Sequence, residues 1–195
     1  SVKSYHRSIS FGDKTTTVMK IELFSIPTWI GNIDSSRIII KNKNLEKSFT
    51  SKIETSIYGE NIIDNDSLNY LYEVISKLLK KNVLPKYKLQ LEHIWTNYYK
   101  DSDYQENHAH AGTHLSFIIY KKIEQSNVVF VNPNSVVLDS YYNGDDDKIA
   151  FFGGTTFKPQ CRENQIILFP SYLEHFVKKT SDAITIAGNL YMNFE

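Results

Sequence analysis

Three of the six histidines crowd into one stretch, Asn107-His108-Ala109-His110-Ala111-Gly112-Thr113-His114, just ahead of the apolar run Leu115 to Tyr120. Side chains alternate along an extended chain, so His108 and His110, two apart, point to the same side and can share one metal ion. His114 has the same parity, but six residues of strand span roughly 20 Å, too far for a common ion unless the chain turns at Gly112. A further ligand is offered by His175. An apolar strand, Ile166 to Phe169, leads into Pro170, a turn follows, and this histidine stands where the next strand begins. Imidazole suits iron, zinc, copper or nickel, and three protein ligands with open positions describe a catalytic rather than a structural site. The expected ligand set is therefore His108, His110 and His175. An isolated H-x-H pair is common by chance, so the reading leans on the combination. His93, in the alternation Leu89, Leu91, His93, Trp95, reads as a packed, hydrogen-bonded histidine; His6 falls in a terminal tail, and His114 suits a place behind the ligands or beside substrate.

These side chains need a scaffold. Residues 1–19 read as an N-terminal extension and residues 20–195 as a single domain. Lys20 to Ile30 reads as a first strand interrupted at Pro27, Ile38 to Ile40 as another, and Leu45 to Ser56 as surface structure or a helix. One helix is predicted over 66–81. Asp66 or Ser67 caps it, and Leu68, Leu71, Ile75, Leu78 and Leu79 recur on one face. After Pro85 the period shortens to that of strands: Tyr87 to Tyr99, Thr113 to Ile123, Asn127 to Val131, Val136 to Leu138, Ile149 to Phe152, Gln165 to Phe169 and Ala183 to Met192. Many short strands divided by turn residues predict a mainly β fold of the jelly-roll kind, with the helix packed outside one sheet. Such a fold can bring His175 to the same mouth as His108 and His110. Asn143 to Asp147 lacks the ligand register of a calcium loop and reads as a solvated turn.

Composition removes several function classes. Lys plus Arg and Asp plus Glu each number 22, so no global field attracts nucleic acid or an anionic membrane. The single cysteine, Cys161, excludes an internal disulfide framework and any multi-cysteine metal site, and it fits a cytoplasmic setting. No run approaches the roughly 20 apolar residues of a membrane span.

Four segments taken in order resemble one known family. They are Trp95-Thr96-Asn97; His108-Ala109-His110 with Leu115-Ser116-Phe117-Ile118-Ile119-Tyr120; Val129-Phe130-Val131-Asn132-Pro133; and Leu168-Phe169-Pro170-Ser171-Tyr172-Leu173-Glu174-His175-Phe176-Val177. They are similar to the W-x-N, H-x-H, LSG-x-YY and FP-x-x-L-x-H-x-V blocks of iron(II)/2-oxoglutarate oxygenases frequent in marine bacteria and their phages. The resemblance spans about residues 20 to 195. It implies a double-stranded β-helix (jelly roll, cupin-like), iron(II) and 2-oxoglutarate as cofactors, and O2 as co-reactant. The substrate it implies is a small molecule or a protein side chain, hydroxylated in the cytoplasm, or in a host's cytoplasm if the chain is viral. A homodimer is compatible with it; nucleic acid and membrane partners are not expected.

Two positions depart from the wider superfamily. His110 stands where most members carry an iron-binding carboxylate, which raises the charge of the iron site by one unless Glu106, Glu174 or a bound anion compensates. In a second register His110 is the first ligand and Gly112 takes the carboxylate's place, similar to the iron halogenases. Ala183 stands where the family's arginine grips the distal carboxylate of 2-oxoglutarate. Strand parity puts Lys122 on one face with Ser116 and Tyr120, so Lys122 is the expected replacement with Tyr120 beside it; Arg162, Lys178 and Lys179 are further candidates. Alternatives are a three-histidine cupin-type dioxygenase that does not use 2-oxoglutarate, and a non-catalytic jelly-roll binding or virion protein.

Overall fold

The computed structural model of the chain describes residues 5–11, 14–20, 25–42, 44–48, 51–79, 86–124, 126–151 and 153–194. A hairpin of β1 (Tyr5–Phe11) and β2 (Lys14–Lys20) opens the chain, so much of the expected loose extension is paired strand. Strands β3 (Trp29–Asn32), β4 (Ile40–Asn42), β5 (Glu46–Lys47), β6 (Glu54–Thr55) and β7 (Asn61–Ile63) precede helix α1 (Asn65–Leu79). Where surface structure or a helix is expected over Leu45 to Ser56, the chain forms the β5–β6 hairpin, because Glu54 and Thr55 pair with the edge of a larger sheet at Tyr98 and Asn97. After α1 come β8 (Tyr87–Tyr99), β9 (Asp103–His108), β10 (Leu115–Lys122), β11 (Val128–Val131), α2 (Ser135–Tyr142), α3 (Asp146–Phe151), β12 (Thr156–Phe157), β13 (Gln165–Pro170), β14 (His175–Thr180) and β15 (Ala183–Phe194). Val136 to Leu138 and Ile149 to Phe152, expected as strands, fall on α2 and α3, with Phe152 outside the described residues; their short apolar runs carry no period that distinguishes the two. The expected first strand over Lys20 to Ile30 is broken, with 21–24 outside the described residues.

Among the described residues the major sheet runs β3-β13-β10-β15-β8-β6-β5 and the minor sheet β12-β11-β14-β9. That antiparallel pair is the double-stranded β-helix expected from the sequence. Strand β10 explains the layering. Its residues are buried on both faces from Leu115 to Tyr120, where a strand with one wet face would alternate. Leu115, Phe117 and Ile119 pack toward α1 with Leu71, Ile75 and Leu79. Ile118 and Tyr120 pack toward the minor sheet with Phe130, Phe169 and Val177. Asp64 caps α1, its carboxylate accepting from Ser67 N at 2.9 Å, ahead of the expected Asp66 or Ser67. Leu71, Val74, Ile75 and Leu79 are buried, so the predicted apolar face is the packed one.

Strand β15 sets the shape of the interior. Ala183, Thr185 and Ala187 project between the sheets, and these small side chains leave a hollow that larger ones would fill. On the opposite face Gly188 lets two elements approach: a Cβ there would lie 2.5 Å from Phe117 Cζ and 2.7 Å from His93 O. No helix among the described residues is long and apolar enough to cross a membrane.

Candidate active site

The minor sheet brings two of the three histidines together by register. His175, the first residue of β14, is the cross-strand partner of His108, the last residue of β9. Their ring centroids lie 4.4 Å apart. His110 follows beyond β9, where its N–H donates to Ser171 O at 2.9 Å and Ser171 N donates to His114 O at 3.1 Å. The loop between can reverse because Gly112, at φ +88°, takes a left-handed backbone with nothing near it. His110 thereby reaches 5.2 Å from His108 and 5.3 Å from His175, centroid to centroid. One ligand atom from each of the three lies within 4.8 Å of the others. Small ring rotations bring such a set onto one ion.

The surroundings suit a metal. His108 Nδ1 donates to Glu106 O at 2.7 Å and His175 Nδ1 to Leu173 O at 3.0 Å. A carbonyl can only accept, so each Nδ1 carries the proton and each Nε2 keeps its lone pair for an ion. Burial, then the neighbouring His108, pushes the His110 pKa down to about 4 and that of His175 to about 3. Both imidazoles are therefore neutral at neutral pH, the form that ligates. His175 is 3% exposed and packs on Phe130 and Phe169, while His110 packs on Trp95. The donor set fits a divalent transition metal with open positions.

From the histidines a pocket runs between the sheets. Apolar walls come from Trp95, Ile118, Phe169 and Ala187, and its polar residues are Asn97, Tyr99, Gln105, Tyr120, Asn127 and Thr185. Tyr99 donates to Gln105 Oε1, Asn97 Oδ1 accepts from Thr55 Oγ1 at 2.7 Å, and Tyr120 Oη accepts from Ser126 Oγ at 3.1 Å. Burial pushes both phenols far above their usual range, so they stay protonated donors.

The residues singled out from the sequence fall in different places. Tyr120 lines the pocket, as does Ala183. Ser116 does not; its Oγ lies 2.9 Å from Ser171 Oγ and from Asn189 Oδ1, tying the turn before His175 to the major sheet. Lys122 is exposed, because a register shift between Tyr120 and Lys122 interrupts the alternation on which its placement rested. Arg162 is exposed and borders a separate cavity with Asn32, Tyr70 and Gln165. Lys178 and Lys179 are exposed, as are Glu106 and Glu174, the latter accepting from Asn107 Nδ2 at 2.9 Å. His114 accepts from Met192 N at 2.8 Å, and His93 lies 3.0 Å from Ile57 O, a packed, hydrogen-bonded histidine as expected. Sequence reading missed Tyr99, Thr185 and Asn127, whose only signal was parity with neighbours on strands not yet paired, and gave no site role to Asn97 although it stands in the W-x-N block.

A family model described as "Putative 2OG-Fe(II) oxygenase" matches residues 93–189, the half of the chain that holds the three histidines and the pocket. The chain belongs to the 2-oxoglutarate- and iron(II)-dependent oxygenases. It is accordingly an oxygenase that uses iron(II) and 2-oxoglutarate. Among solved structures the oxygenase is similar to an oxidoreductase of the 2OG-Fe(II) oxygenase family from Burkholderia pseudomallei, at 8% identity and a TM-score of 0.53, over 80% of this chain and 74% of that one. It is also similar to HygX from Streptomyces hygroscopicus, solved with nickel, 2-oxoglutarate and hygromycin B, at 8% identity and a TM-score of 0.50, over 85% of this chain and 82% of that one. At such identities these likenesses establish the double-stranded β-helix and nothing finer. No curated protein matches the chain in sequence.

Proposed function

We propose that His108, His110 and His175 hold the iron of this oxygenase. In this reading the pocket beyond them takes 2-oxoglutarate, and a C–H bond of a small molecule or a protein side chain is hydroxylated at the mouth. The observation that carries the reading is three ligand atoms within 4.8 Å at one end of a pocket whose polar groups gather along its length. Iron, when bound, supplies O2 activation, one oxygen atom going to the substrate and the other to the succinate formed with CO2 from 2-oxoglutarate.

The chain's own residues bind, orient and exclude water. Carbonyls of Glu106 and Leu173 fix two imidazoles with Nε2 turned to the ion. Three neutral ligands leave the ion's charge uncompensated, which strengthens its pull on an anionic co-substrate. Trp95, Ile118, Phe169 and Ala187 keep the pocket dry, so a hydrogen bond from Tyr120 to a carboxylate faces little competition from water, while Tyr99 spends its proton on Gln105. The even balance of charge supports a substrate other than nucleic acid, and the lone buried thiol of Cys161 supports a cytoplasmic setting. The family match favours 2-oxoglutarate over a co-substrate-free dioxygenase, and Gly112, exposed at its turn, gives no support to a halogenase register.

Anaerobic titration of 2-oxoglutarate into the iron(II)-loaded protein tests the reading. A visible charge-transfer band that needs both components, followed by succinate on admitting O2, is the expected result. Iron that binds without any response to 2-oxoglutarate would contradict it.

A further inference from the structure

No lysine or arginine is among the described residues that line the histidine pocket. A carboxylate taken from water into such a place needs an opposite charge or a full set of donors. Among the described residues a cation stands just behind the wall. Lys158, which follows β12, is half-buried, and its Nζ donates to Asn127 Oδ1 at 3.1 Å; Asn127 itself lines the pocket. Lys158 is in none of the ion pairs among the described residues. An ammonium has three donors to satisfy, and one neutral amide oxygen leaves most of that capacity unused.

Its position is right for the far end of a diacid. Phe130 is the cross-strand partner of His175, and Asn127 lies three residues back along the same strand direction, roughly 10 Å away. Asn127 is fixed there, its carbonyl accepting from Lys178 N at 3.0 Å and its Nδ2 donating to Lys179 O at 3.4 Å. The lysine, on a flexible four-carbon stem, is the partner free to move.

We propose that Lys158 supplies the counter-charge for the distal carboxylate of 2-oxoglutarate, its ammonium leaving Asn127 Oδ1 for that carboxylate when the pocket fills. This rests on reading the pocket as the 2-oxoglutarate site. Lys158 takes the part expected of Lys122, from the minor-sheet side.

The test compares two ligands by calorimetry on the manganese(II)-loaded protein: 2-oxoglutarate, and 2-oxopentanoate, in which a methyl group replaces the distal carboxylate. Lys158→Met is expected to weaken 2-oxoglutarate roughly 10- to 100-fold, the effect of losing a charged hydrogen bond. It leaves 2-oxopentanoate affinity and metal content as in the parent, while Lys158→Arg keeps part of the preference and Lys121→Met changes nothing. Equal weakening of both ligands would mean a structural role and overturn the proposal. So would an unchanged 2-oxoglutarate affinity in Lys158→Met. A parent protein that loads metal yet binds neither ligand would overturn the assignment of the pocket itself.

Discussion

The two ends of the pocket are built in opposite ways. At the mouth, three imidazoles come from two strand termini and a neighbouring loop, aligned by one cross-strand register pair and held by backbone carbonyls. Deeper in, hydroxyls and amides come from separate major-sheet strands, Asn97 and Tyr99 on β8, Tyr120 on β10 and Thr185 on β15, with Lys158 reaching Asn127 from the minor-sheet side. The mouth concentrates its chemistry in side chains that take one kind of partner, a metal ion. The deep end spreads polar contacts over many groups, so no single residue there defines the ligand. A site of the first kind fails sharply on one substitution, and one of the second kind fails by degrees.

That difference can be broken or sharpened by four changes. His175→Ala has the largest expected effect. It removes a ligand and the ring packed on Phe130 and Phe169, and iron affinity falls by more than the 10- to 100-fold typical of losing an outer hydrogen-bond partner, as metal analysis after dialysis would record. Acid comes next. His110 and His175 have folded pKa values of about 4 and about 3, below the unfolded value near 6.5. Between those limits the unfolded chain binds more protons, so the metal-free protein loses stability as pH falls from about 6.5 towards 3 and keeps it above. Urea midpoints at pH 7.5 and 5 measure this; a midpoint independent of pH would show that the histidines are not buried as described. Gly188→Ala lies outside both ends. Its Cβ meets Phe117 and the His93 carbonyl, and a loss of roughly 1–3 kcal/mol in denaturant unfolding is expected, with metal content retained by the folded protein. Tyr120→Phe is the mildest. Losing one hydroxyl costs about 1 kcal/mol, a several-fold weaker 2-oxoglutarate Kd with iron binding unchanged. If it abolished iron binding instead, the two ends would not be separable.

The same contrast decides what the sequence made legible. His108 and His110 declare themselves by a spacing of two on an extended chain, and His175 by its place after a strand and turn; both signals are local. The layering was legible too, since α1 carries a clean helical period and the segments after Pro85 read as short apolar runs divided by turn residues. The deep end needed the sheet order. Thr185 meets Asn97 and Tyr120 only because β15 lies between β8 and β10, a pairing of distant segments that no local pattern encodes. Lys122 failed for a related reason. Parity holds only along an unbroken strand, and the register shift after Tyr120 breaks it. The apolar runs in α2 and α3 misled because a few residues cannot separate a period of 2 from one of 3.6.

Anomalous diffraction at the iron edge, from crystals of the anaerobically iron(II)-loaded protein, tests the three-histidine centre most directly. One peak within about 2.0–2.3 Å of Nε2 of His108 and His175 and of a ring nitrogen of His110 is the predicted result. An iron peak elsewhere, or one held by Glu106 or Glu174 with His110 turned away, would contradict it.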